Sequence, residues 1–136
     1  MKVMMGGFIA LGIGKRQYLP LIVDPSPADI DERLSQIASR QGCISVELED
    51  VPEEADADLT LFSQHGEFLL MLNEKWDTGE VRTFENPTAP NEFVEMHGNM
   101  FHARDLFRDI EIARAALLEF CERGDVSITL LRGRGA

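Results

Sequence analysis

Leu59-Thr60-Leu61-Phe62-Ser63-Gln64-His65-Gly66-Glu67-Phe68-Leu69-Leu70-Met71-Leu72 decides the fold class. Leu59 to Phe62 and Glu67 to Leu72 are strand-like runs, and the Ser63-Gln64-His65-Gly66 stretch between them is a hairpin connection. Successive strand side chains point to opposite faces, so Leu69 to Leu72, apolar at every position, predicts a central strand with some cover on each side.

Outward from this hairpin the pattern stays strand-rich. Upstream, Cys43 to Leu48 alternates, with Ile44, Val46 and Leu48 on one face and Ser45 and Glu47 on the other. Before it lies a helix expected over 27–41, with Ser26 as N-cap, Pro27 at its first position, Asp29 near its N-terminus and Gly42 as its stop. Residues 3–13 read as a buried strand with a bulge near Gly6-Gly7. Lys15-Arg16-Gln17 reads as an exposed turn, and Tyr18 to Val23 as extended chain.

Downstream, Asp77-Thr78-Gly79 marks a turn into an exposed strand at Val81 to Phe84. Phe93 to Met96 reads as a further short strand, which Asn99 to His102 extends or repairs after Gly98. A second helix runs from an Asp109 N-cap through Ile110, Ala113, Leu117 and Phe120 to Gly124. Val126, Ile128 and Leu130 then alternate as a closing strand, and Arg132 to Gly135 reads as a frayed tail. The expected architecture is one α+β domain over 1–136. It consists of a single antiparallel-rich sheet of about six to seven strands with two helices packed on one face.

With 44% hydrophobic and 27% charged residues the chain can bury a core, which excludes intrinsic disorder. The net charge of −11 would repel phosphates and argues against nucleic acid or an anionic membrane as partner. Val3 to Gly14 looks like a signal peptide, but its flank is basic (Lys15, Arg16) and no small-residue cleavage site follows. The expected compartment is the cytoplasm.

Catalytic motifs fail one by one. Gly12-Ile13-Gly14-Lys15-Arg16 lacks the earlier glycine of a phosphate loop, where Ile9 stands, and has Arg16 in place of Ser or Thr. His65, His97 and His102 have no metal-type spacing, and no G-x-S-x-G elbow is present. Cys43 and Cys121 read as buried free thiols. The expectation is a non-enzyme without cofactor or metal.

Charge clusters in one segment. Glu47, Glu49, Asp50, Glu53, Glu54, Asp56 and Asp58 fall together with no basic residue among them. Such a run serves as a solvated loop or as a docking surface for a basic protein. It lacks the glycine and terminal glutamate of a calcium loop. Trp76 reads as an anchor closing the core at a strand end; exposed beside acidic residues, it would instead be an interface hot spot.

The run Ile112-Ala113-Arg114-Ala115-Ala116-Leu117-Leu118-Glu119-Phe120-Cys121-Glu122-Arg123-Gly124-Asp125-Val126-Ser127, with its E-F-x-x-x-G pattern, resembles the ending of small immunity proteins of bacterial polymorphic-toxin and contact-dependent inhibition systems. Gly66-Glu67-Phe68-Leu69-Leu70-Met71-Leu72 is similar to their hairpin strand, and related uncharacterised small domains share both features. Those families typically place a tryptophan in or near the final strand, where Leu130-Leu131 stand here. The resemblance implies a cytoplasmic protein that neutralises a cognate toxin by stoichiometric binding, and carries over no interface residues. The acidic segment is the candidate surface for such a partner, whose own surface would be basic. A small-molecule or regulatory domain with a pocket between sheet and helices is one alternative; a homodimer through exposed strand edges is another.

Overall fold

The computed structural model describes residues 1–76 and 79–133. The expected turn residues Asp77 and Thr78 and the tail from Arg134 lie outside the described residues. The strands are β1 (Lys2–Gly12), β2 (Lys15–Tyr18), β3 (Ile22–Val23), β4 (Gly42–Glu49), β5 (Ala57–Gln64), β6 (Glu67–Glu74), β7 (Val81–Thr83), β8 (Phe93–Met96), β9 (Asn99–His102), β10 (Leu106–Phe107) and β11 (Arg132–Gly133). Helix α1 spans Pro27–Ile37 and α2 spans Ile110–Arg123. Among the described residues nine strands form one sheet in the order β11-β7-β6-β5-β4-β1-β2, with β3 also on β1 and β10 also on β6. Every pairing is antiparallel. β8 and β9 form a separate hairpin. The fold is α+β as expected, with more strands than the sequence suggests, because the short pieces β3, β10 and β11 carry little periodicity; Asn99–His102 does not extend the expected Phe93–Met96 strand but turns back on it.

Both helices cover one face. Val3, Met5, Ile44, Val46, Leu59, Leu61, Leu70 and Leu72 point there and meet Ile30, Leu34 and Ile37 of α1 and Ala113, Ala116, Leu117 and Phe120 of α2. Each Leu or Phe side chain buried this way stabilises the fold by about 1.5–3 kcal/mol. The opposite face is covered only in part. Leu69 and Leu106 pack under Met96 of the β8–β9 hairpin, flanked by Phe62, Met71, Val94 and Phe101. The two-sided apolar character of Leu69 to Leu72 therefore has its expected explanation.

Local chemistry sets the helix ends. Ser26 and Asp29 form a reciprocal capping box on α1. The helix stops at Ile37, short of the expected 41, in a turn where the Arg40 amide donates to the Ile37 carbonyl at 3.0 Å; the Ser63 hydroxyl of β5 donates to the carbonyl of Ile37 or Arg40, at 2.8 and 3.0 Å. In α2 the Asp109 cap and left-handed Gly124 stand where expected; a Cβ on Gly124 would sit 2.7 Å from Met1 Sδ.

Other expectations are corrected. The β1–β4 register is unbroken at Gly6-Gly7; a Cβ on Gly7 would lie 2.1 Å from the Cys43 carbonyl oxygen, so glycine allows close strand approach there, and the irregularity falls between Ala10 and Gly12 against β2. Lys15-Arg16-Gln17 is strand, the reversal lying at Ile13-Gly14. The 81–84 region is not an exposed strand: Arg82 and Thr83 are buried. Residues 126–130 are not a strand either. The Arg82 guanidinium donates to the carbonyls of Val126 and Leu131 and pairs with Asp125 at 2.9 Å, so a buried cation occupies carbonyls that a ladder would have used. Pairing resumes only at Arg132–Gly133, part of the expected tail.

Candidate functional site

The acidic residues gather at one end of the sheet. β4 delivers Glu47 and Glu49, and β5 delivers Asp58 opposite Glu47. Asp50 and a short 3-10 turn over Glu53–Ala55 link the two strands around the sheet end. Glu47, Glu49, Asp50, Glu53 and Glu54 are exposed; Asp56 and Asp58 are half-buried. Two lysines offset part of this charge: Lys2 lies 3.8 Å from Glu49, and Lys75 lies 3.5 Å from Asp58, which also accepts from Asn73 Nδ2 at 2.8 Å. Among the described residues Glu47, Asp50, Glu53, Glu54 and Asp56 have no ion-pair partner within 4.0 Å. One carboxylate oxygen of Asp56, Oδ1, is buried without a hydrogen-bond partner.

Trp76 does not close the core. It is 40% exposed and stands two residues past the end of β6 at Glu74. It shares a recess of about 330 Å³ with Glu54, Asp56, Glu74 and Asp125, and with Arg123, whose guanidinium is held by Glu119 at 2.8 Å. Arg82 engages Glu74 (3.6 Å) and Asp125 from inside the core, and among the described residues Glu54 and Asp56 are the carboxylates of the recess without an ion-pair partner. The arrangement juxtaposes an aromatic face with carboxylates, which suits a Lys or Arg side chain of another molecule.

The other end of the sheet has the opposite character. Lys15, Arg16 and Arg40 lie beside the β1–β2 reversal and the start of β4, and none has a carboxylate within 4.0 Å among the described residues. The strand β4, eight residues long, separates the two ends by roughly 25 Å. Near the basic end the outward side chains Phe8, Cys43 and Phe62 stand side by side in register. His97, in the β8–β9 turn, sets its ring edge against both phenylalanines, with centroids 6.2 and 5.2 Å away, and its Nε2 lies 2.9 Å from the Ser63 carbonyl oxygen.

Thiol chemistry is quiet here. Burial pushes the Cys43 thiol up to about 11, against a smaller opposing pull from Arg16. Burial and then Asp24 push Cys121 to about 11. Both are protonated near neutrality, and both cysteines are free. His65 and His97 occupy separate turns, His102 bonds Asn91 at 2.9 Å, and among the described residues no three His, Cys, Asp or Glu side chains gather as a metal site. No helix is long and apolar enough to cross a membrane.

Sequence reasoning found the acidic segment as a charge run. It missed the exposure of Trp76 and the basic, aromatic end, although Phe8, Cys43 and Phe62 fall on polar-face positions of their strands, a mismatch that period-two reading can expose.

The structure is similar to the crystal structure of a hypothetical protein from Neisseria gonorrhoeae, with a TM-score of 0.79 at 20% identity over 93% of this chain and 90% of that one. At that identity the likeness shows a shared fold. No curated protein matches the sequence. The model of the family of unknown function DUF6911 matches residues 2–130, and the chain belongs to that family.

Proposed function

We propose that this chain is a non-catalytic protein-binding domain whose acidic end receives basic side chains of a partner. The observation that carries the reading is the half-exposed Trp76 in a recess walled by Glu54 and Asp56. A rigid aromatic beside uncompensated carboxylates offers an anchor for a Lys or Arg, and the surrounding charge speeds encounter with a basic surface. The resemblance of the α2–Gly124 segment to immunity proteins supports a finer form: the partner is a cognate toxin, neutralised in the cytoplasm by stoichiometric binding.

Co-expression with the product of the adjacent reading frame tests this. The expected result is a stoichiometric complex that protects cells from that product and weakens as salt rises from about 0.1 to about 1 M, where screening shortens from ~10 to ~3 Å. Trp76→Ala, or joint reversal of Glu53, Glu54 and Asp56 to Lys, should weaken it at least about tenfold. A complex indifferent to both changes and to salt removes this surface from the proposal.

A further inference from the structure

We infer that the open trough on the sheet face opposite the helices, at the basic end, is a binding site for a small flat aromatic anion, such as an aromatic carboxylate. The β8–β9 hairpin covers the outer side of β6 and part of β5, and its turn reaches Phe8 of β1 through His97, but Ser45 of β4 and Thr60 of β5 are left half-exposed beside it. A cleft of about 430 Å³ opens there. Its floor is small and polar: Ser45 and Thr60 sit side by side on paired strands, and neither hydroxyl bonds to another residue among the described residues. Rings flank that floor: Phe8 and Phe62 stand in the next row of the register, and Tyr18 lies beside Phe8 with centroids 6.4 Å apart.

The charge in the cleft selects the ligand. The Arg16 guanidinium lies 4.1 Å from the centroid of the Phe8 ring, a contact that holds it at the cleft mouth. In a protein of net charge −11 it still has no carboxylate within ion-pair distance among the described residues. The neighbouring acids are engaged or remote. Glu95 accepts from Gln64 Nε2 at 2.7 Å and from the Gly98 amide at 2.6 Å. Glu47 and Asp58 share this face but lie two residues further along β4 and β5, roughly 7 Å from Ser45 and Thr60, and Asp58 is engaged by Lys75 and Asn73. A stationed cation without a counterion, over a ring-lined floor with spare hydroxyls, is complementary to a ligand that is flat, apolar in its body and anionic at one edge. This cleft shares no lining residue with the acidic recess at Trp76, and its test is independent of that reading.

The test uses naphthoate and its neutral counterpart naphthamide as probes, followed by amide chemical shifts of the full chain. Naphthoate should shift Ser45, Thr60 and His97 and bind about tenfold more tightly than naphthamide. Arg16→Gln, an exposed-strand change that leaves the core intact, should abolish that preference. Ser45→Leu should block both probes while leaving the resonances of α2 in place. Absence of shifts in the cleft, shifts centred elsewhere, or equal binding of the two probes overturns the proposal; so does a preference for naphthoate that survives Arg16→Gln.

Discussion

The two faces of the central sheet are built from the same strands and have opposite fates. On the helix side, alternate residues from Val3 to Leu72 are aliphatic, and Phe120 and Leu117 close over them completely. On the other side the same strands present Ser45, Glu47, Asp58 and Thr60 interleaved with Phe8 and Phe62, and one short hairpin covers only part of that face. A covered face is selected for packing, so its residues are interchangeable in chemistry and constrained in volume. The half-open face carries the residues whose chemistry is particular, and both candidate sites make use of it or of its ends.

The comparison breaks most readily at Phe120. Phe120→Ala should cost about 3–5 kcal/mol in denaturant unfolding, the range for an aromatic removed from a closed core. Arg82→Ala should come next, at about 3 kcal/mol: it strands the carbonyls of Val126 and Leu131 and frees Asp125, and the 126–131 segment should lose amide protection along with the stability. Phe8→Ala, on the open face, should cost only about 1–2 kcal/mol, since its ring is already half in water. If it rivals Phe120→Ala, the open face is a second core and the contrast fails. The smallest stability effect belongs to Glu53→Lys with Glu54→Lys, within about 0.5 kcal/mol, measured by thermal unfolding without a partner.

Titration sharpens the same contrast. Hydrogen bonds from the Gly98 amide and Gln64 hold the Glu95 carboxyl below its usual range. Its lowered folded value means the stabilisation is present above the ordinary carboxylate pKa and fades as pH falls through the folded one. Glu95→Gln should remove that acid-side loss in the β8–β9 hairpin, followed by amide exchange. Cys43 behaves oppositely: its thiol, raised to about 11, favours the protonated folded state, so stability declines as pH climbs from the ordinary thiol value toward 11.

Much of the fold is legible in the chain because the relevant physics is local. Ser26 with Asp29, Asp109, and Gly124 mark helix ends through bonds that span a few residues. The alternation in β4 and the two-sided Leu69 to Leu72 reflect how many layers each strand meets. Val81 to Thr83 misleads because Arg in a strand reads as solvent-facing until a distant loop surrounds it. The 126–130 alternation misleads for the matching reason, as its carbonyls go to Arg82. The acidic segment is legible as charge, while its recess is not: Trp76 joins Glu54 and Asp56 only because the end of β6 lies beside the β4–β5 connection.

Composition, caps and periodicity by themselves determine the α+β class, the two helices, the central hairpin and the concentration of negative charge. These depend on propensities and on burial patterns repeated within one element. Tertiary structure alone decides that Trp76 is open to solvent and Arg82 is not. It also places Arg16, Tyr18, Ser45, Thr60 and His97, from strands and a turn far apart in the chain, around one cleft. Their meeting depends on sheet order and register, set by the whole molecule's packing and by no single stretch of it.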